Sequence, residues 1–276
     1  MKAALLQLTS GDDPVVNLAM VSAMVAQAAA AGAGFVLTPE VTNVVTSNRA
    51  QRDKVVQTQE NDITLAGLQA QAAELGIWLS IGSLLIKTGD ADGRVANRSF
   101  LIDPMGAIAA QYDKIHLFDV TVSPTETYRE SAGVRPGNRA VVTQTPFGTV
   151  GLTVCYDVRF PQLHRALAHA GAEIILQPAA FSTVTGAAHW EPLLRARAIE
   201  TGCFVLAAAQ TGLHPSSTGE TRRTYGHSMA ISPWGEVLVD AGVDPGISYL
   251  DLDIEQVKQA RTRIPALDHD RPFEGP

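Results

Sequence analysis

Strand-like and helix-like segments alternate along almost the whole chain, and this alternation restricts the fold more than any other feature of the sequence. Residues 2–8 form a short, weakly alternating run, a helical stretch follows over 14–31, and 35–37 is a brief apolar run after Gly34: a strand, helix, strand unit. The pattern recurs with a helix near 63–75, a strand at 77–81, and paired runs at 99–103 and 107–112 around the turn Pro104-Met105-Gly106. Further strands are expected at 150–154, 173–177, 203–209 and 226–231, with helices at 160–170 and 189–201. Interleaving of this kind predicts an α/β layered fold rather than segregated domains. The turns Pro146-Phe147-Gly148 and Pro233-Trp234-Gly235 add antiparallel pairs, so the sheets are expected to be mixed.

No linker, low-complexity tract or fixed-period repeat divides the chain, so residues 1–276 are expected to form a single domain. With 276 residues, 46% of them hydrophobic, it can bury a substantial core. The softest stretches, 88–94 and 212–223, are expected to be surface loops, the second of them a cover over a site. The alanine-rich 14–34 segment is interrupted by Asn17, Ser22 and Gln27 and reads as a buried helix rather than a membrane span. The polar N-terminus does not read as a signal peptide, and a cytoplasmic, reducing location is expected. A net charge of −7 disfavours nucleic-acid binding and points to small molecules or further copies of the chain as partners.

The two cysteines differ in setting. Cys155 ends the apolar run 151–154 and stands just before a helix, on an elbow that exposes a side chain at a sheet edge and aims the next N–H groups at the same spot. That suits a nucleophile, although free cysteine is also among the most buried residue types. Cys203 lies in the apolar CFVLAAA and reads as structural. A nucleophilic cysteine needs a base or cation to favour its thiolate and a stabiliser for the oxyanion formed on attack. Glu40, after the first central strand in Thr38-Pro39-Glu40, and Lys114, in Tyr112-Asp113-Lys114, are candidates at strand ends. There is no Gly-x-Ser-x-Gly elbow, no Cys/His spacing for a metal, and no phosphate-cradling loop, so neither metal nor cofactor is expected. His164 and His169 are five residues apart and point to different faces of their helix. Arg195 and Arg197, 200° apart on theirs, cannot both face one pocket.

The order TPE, YDKIHLFDV, CYDVRFP resembles the glutamate, lysine and cysteine boxes of the nitrilase-like carbon–nitrogen hydrolases, and the similarity continues through HWEPLLRARAIE to YGHSMAISPWGEV. It implies a four-layer α-β-β-α sandwich with two mixed sheets, a homodimer, and a cofactor-free amidase. By the same resemblance Glu40 is the general base, Lys114 the oxyanion stabiliser, Cys155 the nucleophile, and Glu130 in YRES a second glutamate beside the site. Tyr156, Arg159, Phe181, Thr185 and His189 are the expected substrate-facing residues. For Arg159 a structural ion pair, with Asp157 or another carboxylate, stays open, and for His189 and His227 an ordinary hydrogen-bonded core position does. The segments after Cys155 are most similar to the deaminated glutathione amidase branch, with the omega-amidases as the neighbouring alternative. Both imply a small acidic amide as substrate; a silent binding or scaffold relative is the alternative of another class.

Overall fold

The computed structural model describes residues 1–123, 126–219 and 222–275. Across the first sheet the strands run Gly246–Asp251, Lys2–Gln7, Phe35–Leu37, Trp78–Lys87, Val95–Ile102 and Ile108–Asp113, with Val134–Arg135 pairing beside Val95. Across the second they run Val237–Asp240, Met229–Ile231, Phe204–Ala207, Ile174–Leu176, Gly148–Leu152 and Val141–Thr145. Three parallel strands form the centre of each sheet. Antiparallel strands flank them, which makes both sheets mixed.

Side chains alternate across a strand, and here both faces find apolar partners. Ala3, Leu5, Phe35 and Leu37 join Val150, Leu152, Ile174 and Leu176 in a core between the two sheets. Ala4, Leu6 and Val36 point the other way, onto Val21, Val25, Leu65 and Leu68 of the helices Pro14–Ala30 and Ile63–Leu75. On the far side, Trp190, Leu194 and Ala198 of the helix Thr183–Thr201 and Leu167 of Pro161–His169 cover the second sheet. The layers are therefore α-β-β-α, the nitrilase-like sandwich the motifs implied. The alanine-rich segment is a sheet-covering helix, begun by Asp13, whose carboxylate caps Val15 and Val16, and by Pro14 in the first turn. Among the described residues no helix is long and apolar enough to cross a membrane.

Several elements differ from the sequence reading, among them the helices Arg49–Val55 and Glu255–Arg263 and the pairing of Thr211–Leu213 with Arg223–Tyr225 at the two ends of the expected 212–223 loop. The helix expected from 189 begins at Thr183. The run Thr183-Val184-Thr185-Gly186 has poor helix propensity, but Gly186 is demanded by packing: a Cβ there would lie 2.3 Å from the Tyr225 ring. The strand Gly246–Asp251, absent from the sequence reading, pairs antiparallel with Lys2–Gln7 and closes one edge of the first sheet.

Candidate active site

Glu40, Lys114 and Cys155 each lie just past the end of a strand, and the facing of the two sheets brings them together. Glu40 is held by its neighbours on both sides. Thr42 Oγ1 donates to the Pro39 carbonyl (2.7 Å), the Gly82 N–H donates to Thr38 Oγ1 (3.1 Å), and the Ser83 hydroxyl accepts from the Val41 N–H (2.9 Å). Val41 has φ +51°, a left-handed conformation that a β-branched residue adopts only under constraint. Cys155 has φ +49°. Its N–H donates to the Pro178 carbonyl (2.8 Å) and its carbonyl accepts from Gln177 Nε2 (2.9 Å). Two strained non-glycine residues thus flank the same small volume. Gly82 permits the convergence: a Cβ there would stand 2.1 Å from the Thr38 carbonyl oxygen and 2.6 Å from Pro178 Cβ.

The three side chains form one buried network. Lys114 Nζ lies 3.0 Å from Glu40 Oε1 and 3.0 and 2.9 Å from the two Glu130 oxygens. The Cys155 thiol interacts with the Glu40 carboxylate, whose Oε2 accepts the Ala180 N–H (2.7 Å). Asn97 Nδ2 donates to Glu40 (2.8 Å) and, at 3.4 Å, to Glu130, so one amide spans both carboxylates. Lys114 is 2% exposed, so it is not a solvated charge at a strand end. Burial alone would raise the Glu40 pKa, but the Lys114 ammonium and the Cys155 and Lys114 donors outweigh it and hold the carboxyl below its usual range. Burial would lower Lys114; Glu130 and Glu40 hold it well above its ordinary value. Burial pushes the Cys155 thiol well up and Glu40 adds to the rise, while Lys114 opposes it. The resting site therefore holds a carboxylate, an ammonium and a neutral thiol. The pre-formed thiolate that a cationic neighbour suggests is not the resting state, and the proton must leave with Glu40 during attack.

A second clamp ties the lysine and cysteine segments to each other. The fully buried Asp157 carboxylate accepts from Tyr112 Oη (2.7 Å), the His116 N–H (3.0 Å) and the Val154 N–H (2.8 Å), with His116 Nδ1 at 2.7 Å. Tyr112 and His116 bracket Lys114; Val154 and Asp157 bracket Cys155. Beneath the elbow, Gln177 Oε1 contacts Thr153 Oγ1 (2.7 Å) and His164 Nε2 (3.2 Å). Burial pushes His164 down to about 4, and His214, bonded to the Ser10 carbonyl and Thr224, also to about 4. Because the unfolded chain binds these two protons near the ordinary histidine pKa and the folded chain does not, stability rises with pH between about 4 and 6.5. Urea midpoints are expected to fall on acidification from pH 7 to pH 5, at up to about 1.4 kcal/mol per pH unit for each histidine. His164→Gln is expected to flatten that slope by about half; an unchanged slope contradicts a neutral buried imidazole.

A cavity of about 390 Å³ opens over the network, lined by Glu40, Lys114, Cys155 and Glu130 together with Asn97, Phe118, Tyr128 and the arginines 49, 52, 129 and 222. The catalytic candidates and Glu130 are thus together in it. The five residues expected to face substrate are not among its lining: Tyr156, Arg159, Phe181 and His189 form an adjoining group, and Thr185 lies one turn before His189 on the same helix. The Arg159 guanidinium stands 5.8 Å from the Tyr156 ring and 5.4 Å from Phe181, with Nη1 at 3.3 Å from His189 Nδ1. Arg159 makes no ion pair with Asp157, whose oxygens are taken by the clamp above. Thr185 Oγ1 is buried with no hydrogen-bond partner among the described residues. Tyr156 directly follows the nucleophile and Phe181 directly follows Ala180, so this group borders the cavity. His189 is exposed, and His227 stacks on Tyr225 beside Asp240, away from the network. His164 and His169 separate as expected, as do Arg195 and Arg197, which bond to the Gly235 and Val158 carbonyls. Cys203 is sealed, with its Sγ 3.1 Å from the Ala172 carbonyl.

Sequence reasoning missed Asn97, Asp157, Gln177 and Arg222. Asn97 left a signal, a polar side chain inside the apolar strand VANRSFLI, and Gln177 ends IILQ in the same way. Arg222 sits in the 212–223 loop, whose residues 220 and 221 lie outside the described residues.

The model of the family described as Carbon-nitrogen hydrolase matches residues 2–262. The chain belongs to the carbon–nitrogen hydrolase family. It is accordingly a hydrolase of carbon–nitrogen bonds, an amidase. Similar proteins include a deaminated glutathione amidase of Yersinia enterocolitica, 43% identical over 97% of this chain and 92% of its own, and one of Mus musculus, 39% identical over 98% and 83%. Among solved structures, the C. elegans NitFhit protein superposes with a TM-score of 0.89 at 34% identity, covering 98% of this chain, which spans 65% of that one. A Saccharomyces cerevisiae member of branch 10 of the nitrilase superfamily gives a TM-score of 0.83 at 28% identity, covering 96% of this chain and 94% of its own.

Proposed function

We propose that this amidase hydrolyses deaminated glutathione, releasing 2-oxoglutarate and cysteinylglycine through a thioester on Cys155. The observation that carries the chemistry is the closed network of Glu40, Lys114 and Cys155 at the base of an arginine-lined cavity. Glu40 takes the thiol proton as sulfur attacks the amide carbonyl. The oxyanion rests on Lys114 Nζ, which redirects one donor from Glu130, and on the Tyr156 N–H, in the first turn after the elbow where helical N–H groups lack intrahelical partners. Protonated Glu40 then donates to the leaving amine, and the C–N bond breaks. Water, deprotonated by the same carboxylate, attacks the thioester; collapse frees the acid, and the proton returns to Cys155. Glu130 stays bonded to Lys114 and the Phe118 N–H (2.7 Å) and positions the ammonium.

The names of the relatives support the substrate, and so does charge: Arg159 with the orphaned Thr185 hydroxyl suits the carboxylate of a 2-oxo acyl group. The whole chain is proposed to work as one domain, because the sheets share one core and each supplies part of the site. A homodimer is proposed as well, supported by exposed apolar residues Val184, Ile199, Trp234 and Leu238. A cytoplasmic setting fits a nucleophile that must remain a free thiol. A panel of deaminated glutathione, 2-oxoglutaramate, succinamate, asparagine, glutamine and a simple nitrile, ranked by kcat/KM, tests the reading. Deaminated glutathione is expected to lead by at least about tenfold; a lead for 2-oxoglutaramate moves the protein to the omega-amidase reading.

A further inference from the structure

We propose that Arg222 forms a second carboxylate subsite, on the leaving-group side of the scissile bond, so that the preferred substrate is anionic at both ends. This rests on the reading of Glu40 as the acid that protonates the leaving amine. That amine must lie within hydrogen-bond reach of Glu40, and whatever it carries extends into the cavity on the Glu40 side.

Arg222 stands on that side. It lines the cavity, its Nη2 reaches the carbonyl of Ala180, whose N–H binds Glu40, and its charge helps hold Glu40 ionised. The Ala180 contact is long, at 3.4 Å, and no carboxylate lies within ion-pair distance of Arg222 among the described residues. The other cavity arginines are already engaged or outlying. Arg52 is buried against Asp53 (2.6 Å) and the Gly133 carbonyl, Arg49 pairs with Asp53 at its exposed position, and Arg129 is exposed near Asp119. Arg222 is thus a half-buried cation near the general acid that, among the described residues, has no carboxylate partner. Arg159 and Thr185, in the group that borders the cavity at Tyr156 and Phe181, are the proposed partners of the acyl carboxylate, which leaves Arg222 for the other end. An amide whose amine part ends in a carboxylate, such as a short peptide with a free C-terminus, spans both cations; a primary amide that releases ammonia uses only the first.

The test compares deaminated glutathione with its C-terminal carboxamide, which differs only in that charge. Wild type is expected to favour the free acid by about 10- to 100-fold in kcat/KM, mainly through KM, the range for a charge-assisted contact. Arg222→Gln is expected to collapse that preference to within threefold, and Arg222→Lys to restore part of it. Comparable turnover of acid and carboxamide by the wild type overturns the inference alone, as does an Arg222→Gln enzyme that loses rate equally on both while keeping the preference. If wild type cleaves neither but does cleave 2-oxoglutaramate, the substrate reading falls and the inference with it.

Discussion

Lys114→Met is expected to lower kcat by at least about 10³-fold, with a smaller effect on KM, because the ammonium acts on charge that appears only in the transition state. The structure makes the effect larger than the loss of one oxyanion donor. Lys114 is bonded to three carboxylate oxygens at 2.9–3.0 Å. Without it, the buried Glu40 and the half-buried Glu130 face each other with no cation between them, uptake of a proton is favoured, and the base for Cys155 is weakened as well. Breaking such a pair also costs about 3–5 kcal/mol of stability. The two consequences separate in the double variant Lys114→Met/Glu130→Gln, which removes one of the opposed charges: stability is expected to return in part, while kcat stays low. A folded Lys114→Met enzyme that keeps more than about a tenth of wild-type kcat defeats the oxyanion assignment.

The layered fold was legible because strand and helix periods are written locally, and the resemblance of three boxes supplied the closure into four layers. What the sequence concealed is long-range. The pairing of Gly246–Asp251 with Lys2–Gln7 joins the chain's two ends, and no local pattern announces it. Gly186 fell outside the helix expected from 189, because the Tyr225 ring that requires its missing Cβ is 39 positions away. At the site, residue types that carry chemistry at strand ends were readable, whereas those that orient them were not. Asp157 was visible only as a possible partner of Arg159, yet it binds Tyr112, His116 and Val154, a role that depends on partners 45 and 41 positions away as well as on its own turn. Arg222 was hidden for the opposite reason, since its loop is mostly polar and one arginine there carries no periodic or spacing signal. The protonation state also had to come from three dimensions: burial keeps the Cys155 thiol neutral although a lysine stands nearby.

Cys155→Ala is expected to abolish amide turnover, by at least about 10⁴-fold, while the fold is kept. The alanine retains the Cβ that the elbow already accommodates at φ +49°, the backbone bonds to Pro178 and Gln177 do not involve the sulfur, and the cost is at most about 1–2 kcal/mol. Cys203→Ala, in the sealed position against the Ala172 carbonyl, is expected to leave kcat nearly unchanged and lower stability instead. The claim common to every step proposed for this enzyme is an acyl group carried on one sulfur, and that can be weighed. Wild-type enzyme mixed with saturating deaminated glutathione, quenched in acid within a turnover and analysed by intact and peptide mass spectrometry, is expected to gain one 2-oxoglutaryl group, released by hydroxylamine and confined to the peptide containing Cys155. The Cys155→Ala enzyme is expected to gain none. An acyl group found on Cys203 or another residue, or undiminished turnover by Cys155→Ala, contradicts the account.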